Sequence, residues 1–451
     1  MNDLKVDDIT GVTAQPGTWN LEVSSWSPEN GFPRTGEFGQ GRLIQASTFA
    51  QPTTFWMSAP DGFDDYGVGI KADDAIDYSL ASKMINRLEW IAENIDPFTQ
   101  MQTSLYFGGT NAEFIASSGA PNAPFGGDVV PLVNKSSDEG SAPVQAVTAG
   151  NKILFLDRSR RKIFIITYSE QDYSRIAIEL TALAEHITGS GISLGPIAVQ
   201  KRPDRRFFWV RSDGQLVVFT YLPNEKVIGF SRFVTDGEFQ SVCCVSNNAP
   251  GNDIVYVIVK RVINGQTKRY VEVFEDEYTN ALMRPWKSFQ TDCAICYRGP
   301  ATAIVSGLGH LEGKLVDVVA DGGFRGQKTV VSGQVMLDEE FSEIEVGLHY
   351  NSKLTTMRPS IPNVVIEGLP RSWSKLFVRL KDSLGGKING NPISYPPFPL
   401  GSVSLFTGDR PVTPPGITGN DTNGAIEIIQ DQPYPLTILC TFGTLTIGDH
   451  D

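Results

Sequence analysis

EHITGSGISLGPIAVQKRPDRRFFWVRSDGQLVVFTYLPNEKVIGFSRFVTDGEFQSV, residues 185–242, decides how the chain reads. Four short apolar runs follow one another at 194–200, 206–211, 216–221 and 227–233. Turn residues separate them: Arg202-Pro203-Asp204, Asp213-Gly214 and Leu222-Pro223-Asn224-Glu225. Asp-Gly between alternating runs is a strong hairpin signal, because a tight hairpin turn needs residues that accept positive φ. The runs predict a four-stranded antiparallel meander, the size of one propeller blade or half a sandwich. Trp209 sits mid-strand, where a large ring fills the space between two sheets. The stretch has one histidine, His186, and no nucleophile beside it.

The same strand rhythm extends in both directions. Upstream, strands are expected at 41–47, 54–58, 152–157 and 162–168, with a hairpin over 105–107 and 112–116. Two helices are expected. Residues 79–95 place apolar side chains in a helical stripe, though a short helix followed by a strand near 88–92 also fits; residues 178–186 read as one short helix. Residues 117–141 and the Gly/Pro-rich 385–415 read as long excursions. Downstream, strands are expected at 239–246, 254–261 and 268–274, the last two joined by Asn264-Gly265. From 301 on, further short strands run through 373–380 to 436–442. The fold class is mainly β, with one or two short helices. Residues 1–30 read as an extended arm, and the pattern changes after Glu275.

A search for chemistry yields little. There is no P-loop, no G-x-S-x-G and no H-E-x-x-H. The aspartates of 61–77 lack the spacing of a calcium loop and read as a solvated turn region. The lone C-x-x-C at Cys293 and Cys296 has no second pair to complete a zinc site. Four histidines are present, and His186 and His310 adjoin glycine-rich turns. Four basic residues at 158–162 form a solvated hairpin tip. No cofactor, metal site or catalytic set is expected. Seven scattered tryptophans leave open a glycan-binding surface, and the many carboxylates leave open a polysaccharide depolymerase.

A chain of 451 residues is long enough for two or three domains, and its 44 glycines and 28 prolines supply the turns of short strands. A net charge of −13 argues against a protein that wraps around nucleic acid, since phosphate contacts need a basic surface. It suits a conduit through which DNA slides without sticking. The start, MNDLKVDDITG, has neither the basic nor the apolar part of a secretory signal, and no apolar run reaches membrane-spanning length. Five cysteines, two of them adjacent, read as free thiols made in a reducing cytoplasm.

Several segments resemble, in order, the tail nozzle (tail hub, tail tubular protein B-like) family of short-tailed phages. They are GFPRTGEFGQGRLIQASTFAQPTTFWMSAPDGFDDY at 31–66, DDAIDYSLAS at 73–82 and GSAPVQAVTAGNKILFLDRSRRKIFIITY at 140–168. LTALAEHITGSGI at 180–192 and residues 203–242 follow, then HLEGKLVDVVADGG at 310–323, LFTGD at 405–409 and IEIIQDQPYPLTIL at 426–439. The residues that carry the resemblance include Arg42, His186, Gly191, Trp209, Asp213, Gly214, Asp236, Gly237, Gly408 and Asp409. The resemblance implies a homo-hexameric ring in the virion tail, assembled in the host cytoplasm below the portal and adaptor proteins and beside tail fibre or spike proteins. Phage DNA passes through such a ring without specific binding, and the distal end closes the channel; residues 117–141 or 385–415 are candidates for narrowing it. Contact with the host surface is indirect and no membrane insertion is expected. The resemblance also implies a β-propeller-like part, here 31–280 after the arm at 1–30, followed by small β-sandwich modules, here 281–451. Long members of the family carry a further N-terminal region before the GFPR segment, which leaves open whether this chain closes the propeller alone or strands from 1–30, a neighbouring subunit or another tail protein complete it.

Overall fold

A computed structural model describes residues 25–81, 86–95, 103–119, 123–169, 171, 174–189, 191–246, 251–275, 289–361, 369–397, 404–413 and 424–447. Contacts divide the chain into two compact units, 1–197 and 198–451. The division expected at 280 and nearly all of the arm at 1–30 lie outside the described residues.

The first unit contains three consecutive four-stranded meanders. β1 (Thr35–Gly39), β2 (Arg42–Ala46), β3 (Thr54–Met57) and β4 (Ile76–Ser79) form one, in sequence order. β5 (Leu88–Ile95), β6 (Thr103–Gly109), β7 (Glu113–Ser117) and β8 (Leu132–Ser137) form the next. β9 (Val147–Thr148), β10 (Ile153–Leu156), β11 (Ile163–Ser169) and β12 (Ser174–Glu179) form the third. The middle sheet is apolar on both faces. Leu88, Ile91, Leu105 and Phe107 pack with Ile44, Phe55 and Met57 of the first sheet. Trp90, Ala92 and Tyr106 pack with Ile153, Phe155 and Ile166 of the third. Leu88 and Ile91 share a face only because a bulge between Leu88 and Trp90 inserts one residue and inverts the alternation.

In the second unit, β13 (Leu194–Gln200), whose last residues open the unit, leads into β14 (Arg206–Arg211), β15 (Leu216–Leu222) and β16 (Val227–Phe233). This is the meander anticipated from 185–242. Its neighbour has only three strands: β17 (Glu238–Val245), β18 (Ile254–Ile263) and β19 (Gln266–Val273). Phe208, Leu216 and Val218 meet Phe239, Val255, Val257 and Val259 between the two sheets. β20 (Asp292–Ser306), β21 (Leu315–Ala320), β22 (Gly323–Thr329) and β23 (Gln334–Leu348) then form a sheet of order β20-β23-β21-β22 around its own core.

The chain closes as a β-sandwich. One sheet contains β24 (Ser352–Thr355), β26 (Lys387–Ile388), β27 (Asn391–Pro392) and β29 (Glu427–Gln430). The other contains β25 (Arg371–Ser383), β28 (Phe406–Pro411) and β30 (Thr437–Ile447). Leu376, Val378 and Leu380 of β25 face Ile388 and Ile428 across the interior.

The mainly-β expectation holds, with local corrections. Residues 88–95 are strand β5, so the strand alternative for 79–95 is the observed one there. Residues 174–179 are strand and 180–189 are turns, so the helix expected at 178–186 does not form: a β-rich setting pairs Ile176 and Ile178 with β11. The excursion at 117–141 contains β8, and that at 385–415 contains β26, β27 and β28, which shortens both loops proposed to narrow a channel. Among the described residues the one helical turn is a 3-10 segment at Gly309–Leu311.

Candidate functional site

Two of the sequence-marked turns converge in the second unit. Asp213 and Gly214 form the β14–β15 hairpin, where Gly214 has φ +79° and Asp213 accepts from Arg211 Nε (3.0 Å) and Nη2 (2.8 Å). The carbonyl of Gly214 accepts from the Phe239 amide at 2.8 Å, and a Cβ at Gly214 would fall 2.8 Å from that of Glu238. The hairpin is thereby pinned to the start of β17. Asp236 and Gly237 occupy the preceding turn; Gly237 has φ +153°, and a Cβ there would meet the Lys260 carbonyl at 2.6 Å. Asp236 pairs with Lys314 at 2.7 Å.

Beneath this corner lies a buried charge cluster. Arg261 is 1% exposed and donates through Nε and Nη2 to the two carboxylate oxygens of Glu272, each at 2.8 Å. Its Nη1 reaches Thr235 Oγ1 (2.8 Å) and the Asp236 carbonyl (2.7 Å). Asp292 stands 3.7 Å away and accepts from Thr235 Oγ1 at 2.5 Å. Burial is the largest single influence on Arg261 and opposes its charge, but the hydrogen bonds to Glu272 together with the neighbouring Cys293, Glu272 and Asp292 outweigh it and hold the guanidinium pKa above its ordinary value. Burial raises the pKa of Asp292, tempered by Thr235 and Arg261. Cys293 donates to Glu272 Oε1 at 3.4 Å, and burial pushes its thiol up to about 12; Cys296 is also raised by burial. A metal-binding or redox pair needs thiols shifted the other way. His310 Nε2 lies 3.3 Å from the Cys293 carbonyl, a turn-bonding role.

A cleft of about 360 Å³ opens between the β13–β16 and β17–β19 sheets. Phe208, Phe233 and Phe274 line it, with Arg206, Asp253 and Glu275 among its polar residues. Asp253 is committed to the backbone, accepting from the amides of Lys201 (2.6 Å) and Arg202 (3.1 Å). Asp317 and His349 pair at 2.7 Å, as the orienting half of a catalytic triad would, but His349 Nε2 faces Asn351 Oδ1 at 3.1 Å instead of a nucleophile. Among the described residues no group of three or more His, Cys, Asp or Glu is arranged to hold a metal ion.

The other sequence-marked residues lie apart. Arg42, 2% exposed at the start of β2, holds the aspartate-rich loop of the first unit through three backbone carbonyls: Ser58 (2.7 Å), Ala72 and Asp74 (each 2.9 Å). His186 is an exposed turn residue, and Gly191 takes φ +82° with open space around it. Trp209 is fully buried and stacks on Phe207 at 6.2 Å. Gly408 (φ +144°) precedes Asp409, whose carboxylate receives Arg379 Nε and Nη2 at 2.7 and 2.9 Å; that pairing lowers the Asp409 pKa. The described tryptophans present no exposed ring platform: Trp56, Trp90 and Trp209 are buried, and Trp26 and Trp373 are half-buried. Trp19 and Trp286 lie outside the described residues.

Sequence reasoning passed over Arg261, Glu272, Asp292 and two buried carboxylates elsewhere, Glu113 and Glu345. For Arg261 a signal was present, since alternation in IVYVIVKRVI puts it on the same face as Val255, Val257 and Val259. A charge at a core-facing strand position demands a partner.

No family model and no curated protein matches the chain. Solved structures with some likeness include a putative 6-phosphogluconolactonase from Bacteroides fragilis (TM-score 0.31, 12% identity, 65% of this chain and 83% of that one). An exo-β-1,3-galactanase from Phanerochaete chrysosporium (TM-score 0.28, 8% identity, 92% and 95%) and a luciferin-regenerating enzyme (0.27, 11%, 49% and 67%) are others. These include enzymes, but likeness this low does not bear on what the chain does.

Proposed function

We propose that the chain is a structural, non-enzymatic subunit of a phage tail: a nozzle or hub ring that surrounds and gates the exit path of the DNA. The observation that supports this best is the serial order of small antiparallel meanders, β1–β4, β5–β8, β9–β12 and β13–β16, followed by a terminal β-sandwich. That order is the one the sequence resemblance implies, a propeller-like part and then sandwich modules. A net charge of −13 fits a wall that DNA must pass without adhering. The charge cluster at Arg261 fits a rigid internal brace. In this reading the ring sits below the adaptor, touches fibre or spike proteins and assembles in the host cytoplasm. Negative-stain imaging of the purified chain and of intact particles tests it. A ring with an open centre, located at the distal tail, is expected; an elongated trimeric rod, or sugar release from a host polysaccharide, would overturn it.

A further inference from the structure

The three-stranded β17–β19 sheet is apolar on both faces, yet among the described residues only one is covered. Its outer face carries the cross-strand pairs Ile258–Val271 and Tyr256–Val273, flanked by Val245 and Val262. Val271 is 71% exposed, and Val245, Val262 and Val273 are each at least half exposed. At about 3.3 Å per residue and about 4.8 Å per strand, the whole outer face spans roughly 450 Å², of which about half is apolar. A contiguous apolar patch of a few hundred Å² is of the size that is often functional on a soluble monomer. The next row on the same face is basic, with Lys260 opposite Arg269. Lys260 pairs with Glu238, whereas Arg269 Nε bonds the neutral amide oxygen of Gln240 at 2.6 Å. In the first unit a second uncovered surface has the opposite character. Phe38 of β1 stacks edge-on against Phe63 at 5.2 Å, and both are exposed. Exposed Asp61, Asp64 and Asp65 surround Phe63 in the chain, and exposed Val68 and Ile70 follow.

From these two surfaces we infer that copies of this chain associate head to tail. The β17–β19 outer face of one copy seats against the Phe38–Phe63 face of the next, with Arg269 directed to the carboxylates at 61–65. An apolar centre with charges of opposite sign on the two rims selects this pairing over face-to-face dimers, in which like rims would meet. Two different surfaces in one contact make it heterologous, the type that generates a ring where the rotation between copies closes. The inference rests on the ring reading above and identifies the surfaces that would make it.

The test is sedimentation velocity of the full chain at about 1–100 µM (at or above the weak end of the affinities of standard-size interfaces), comparing wild type with V271D, R269E, D64K and the double variant R269E/D64K. Wild type is expected to form a discrete oligomer. V271D is expected to be monomeric, while R269E and D64K alone each weaken assembly about tenfold or more and the double variant recovers it. Val271 and Arg269 are exposed, and far-UV circular dichroism with V271T as a conservative partner confirms that each variant is folded. An oligomer indifferent to V271D and R269E overturns the contact while leaving the ring reading standing. A wild-type chain that stays monomeric throughout overturns both and assigns the face to another protein.

Discussion

The indole of Trp90 lies directly over Gly108, its cross-strand partner: a Cβ on Gly108 would fall 2.0 Å from Trp90 Cε2. The glycine is therefore the complement of the tryptophan, giving the ring a seat on the sheet while Trp90 packs on Phe155 of the next sheet at 5.6 Å. Gly108→Ala is expected to destabilise the first unit by roughly 3 kcal/mol through overpacking in an interior with no slack. In a Trp90→Leu background the same alanine should cost much less. Urea titrations of the four proteins in this cycle measure the coupling, and additive effects would show that the two residues are not packed as described.

Glu113 has no exposed surface and no cation beside it in its hydrogen-bond set: Ser141 Oγ donates to one oxygen at 2.7 Å and Ser137 Oγ to the other. Burial raises its pKa from an ordinary 4.5 to about 7, against the pull of those two hydroxyls. The folded chain then holds a proton that the unfolded chain has released between about 4.5 and about 7, so this site's stabilisation is complete below the window and is lost as pH rises through it. The loss is of order 3 kcal/mol. Denaturation midpoints from pH 4.5 to 8 should show wild type weakening relative to Glu113→Gln, whose amide stays neutral throughout. Parallel profiles for the two proteins would exclude the assignment.

Arg261 is buried against Glu272 and Asp292, whose carboxylates are half-buried. Arg261→Ala leaves these two carboxylates without their cation and should cost roughly 3 kcal/mol, the low end for a buried pair. Because Arg261 also bonds Thr235 and the Asp236 carbonyl, the turn before β17 should loosen with it. Faster amide exchange at Gly237 and Phe239 is the expected signature. Arg261→Ala/Glu272→Ala should be less damaging than Arg261→Ala alone, and the reverse order would contradict a shared charge cluster.

How far the chain could be read depended on whether a signal was local. Asp213-Gly214 and Asn264-Gly265 each mark a hairpin, because their second residue takes a φ that a side chain resists, and both turns formed. Alternation likewise marked β14, β15 and β18. The errors arose where a short segment is compatible with either period and neighbours decide. Residues 178–186 carry a helical composition, but β11 offers an edge that claims Ile176 and Ile178. β8 was hidden because LVNKSS has few apolar residues; pairing with β7 makes it a strand. The charge cluster depends on residues from 235 to 292, a separation that no local window spans.

Arg42 illustrates the opposite case, a residue marked by resemblance whose role is visible only in three dimensions. Its guanidinium reaches three carbonyls on both limbs of the loop between β3 and β4, and burial pulls its pKa below the ordinary value, with Asp73 opposing. A planar fork bridges such acceptors; a lysine ammonium at the same place cannot reach all three. Arg42→Lys is expected to cost roughly 2 kcal/mol, the worth of one or two charge-assisted bonds in a buried setting. Most of that should appear locally, since the β2–β3 pairing does not depend on the arginine side chain. Limited proteolysis should therefore cut the variant within 61–75 well before any site in β5–β8. Because that loop presents Phe63 and its aspartates, the same variant should also weaken self-association without any change to the β17–β19 face. Protease resistance equal to wild type would mean that the loop is held by something other than Arg42.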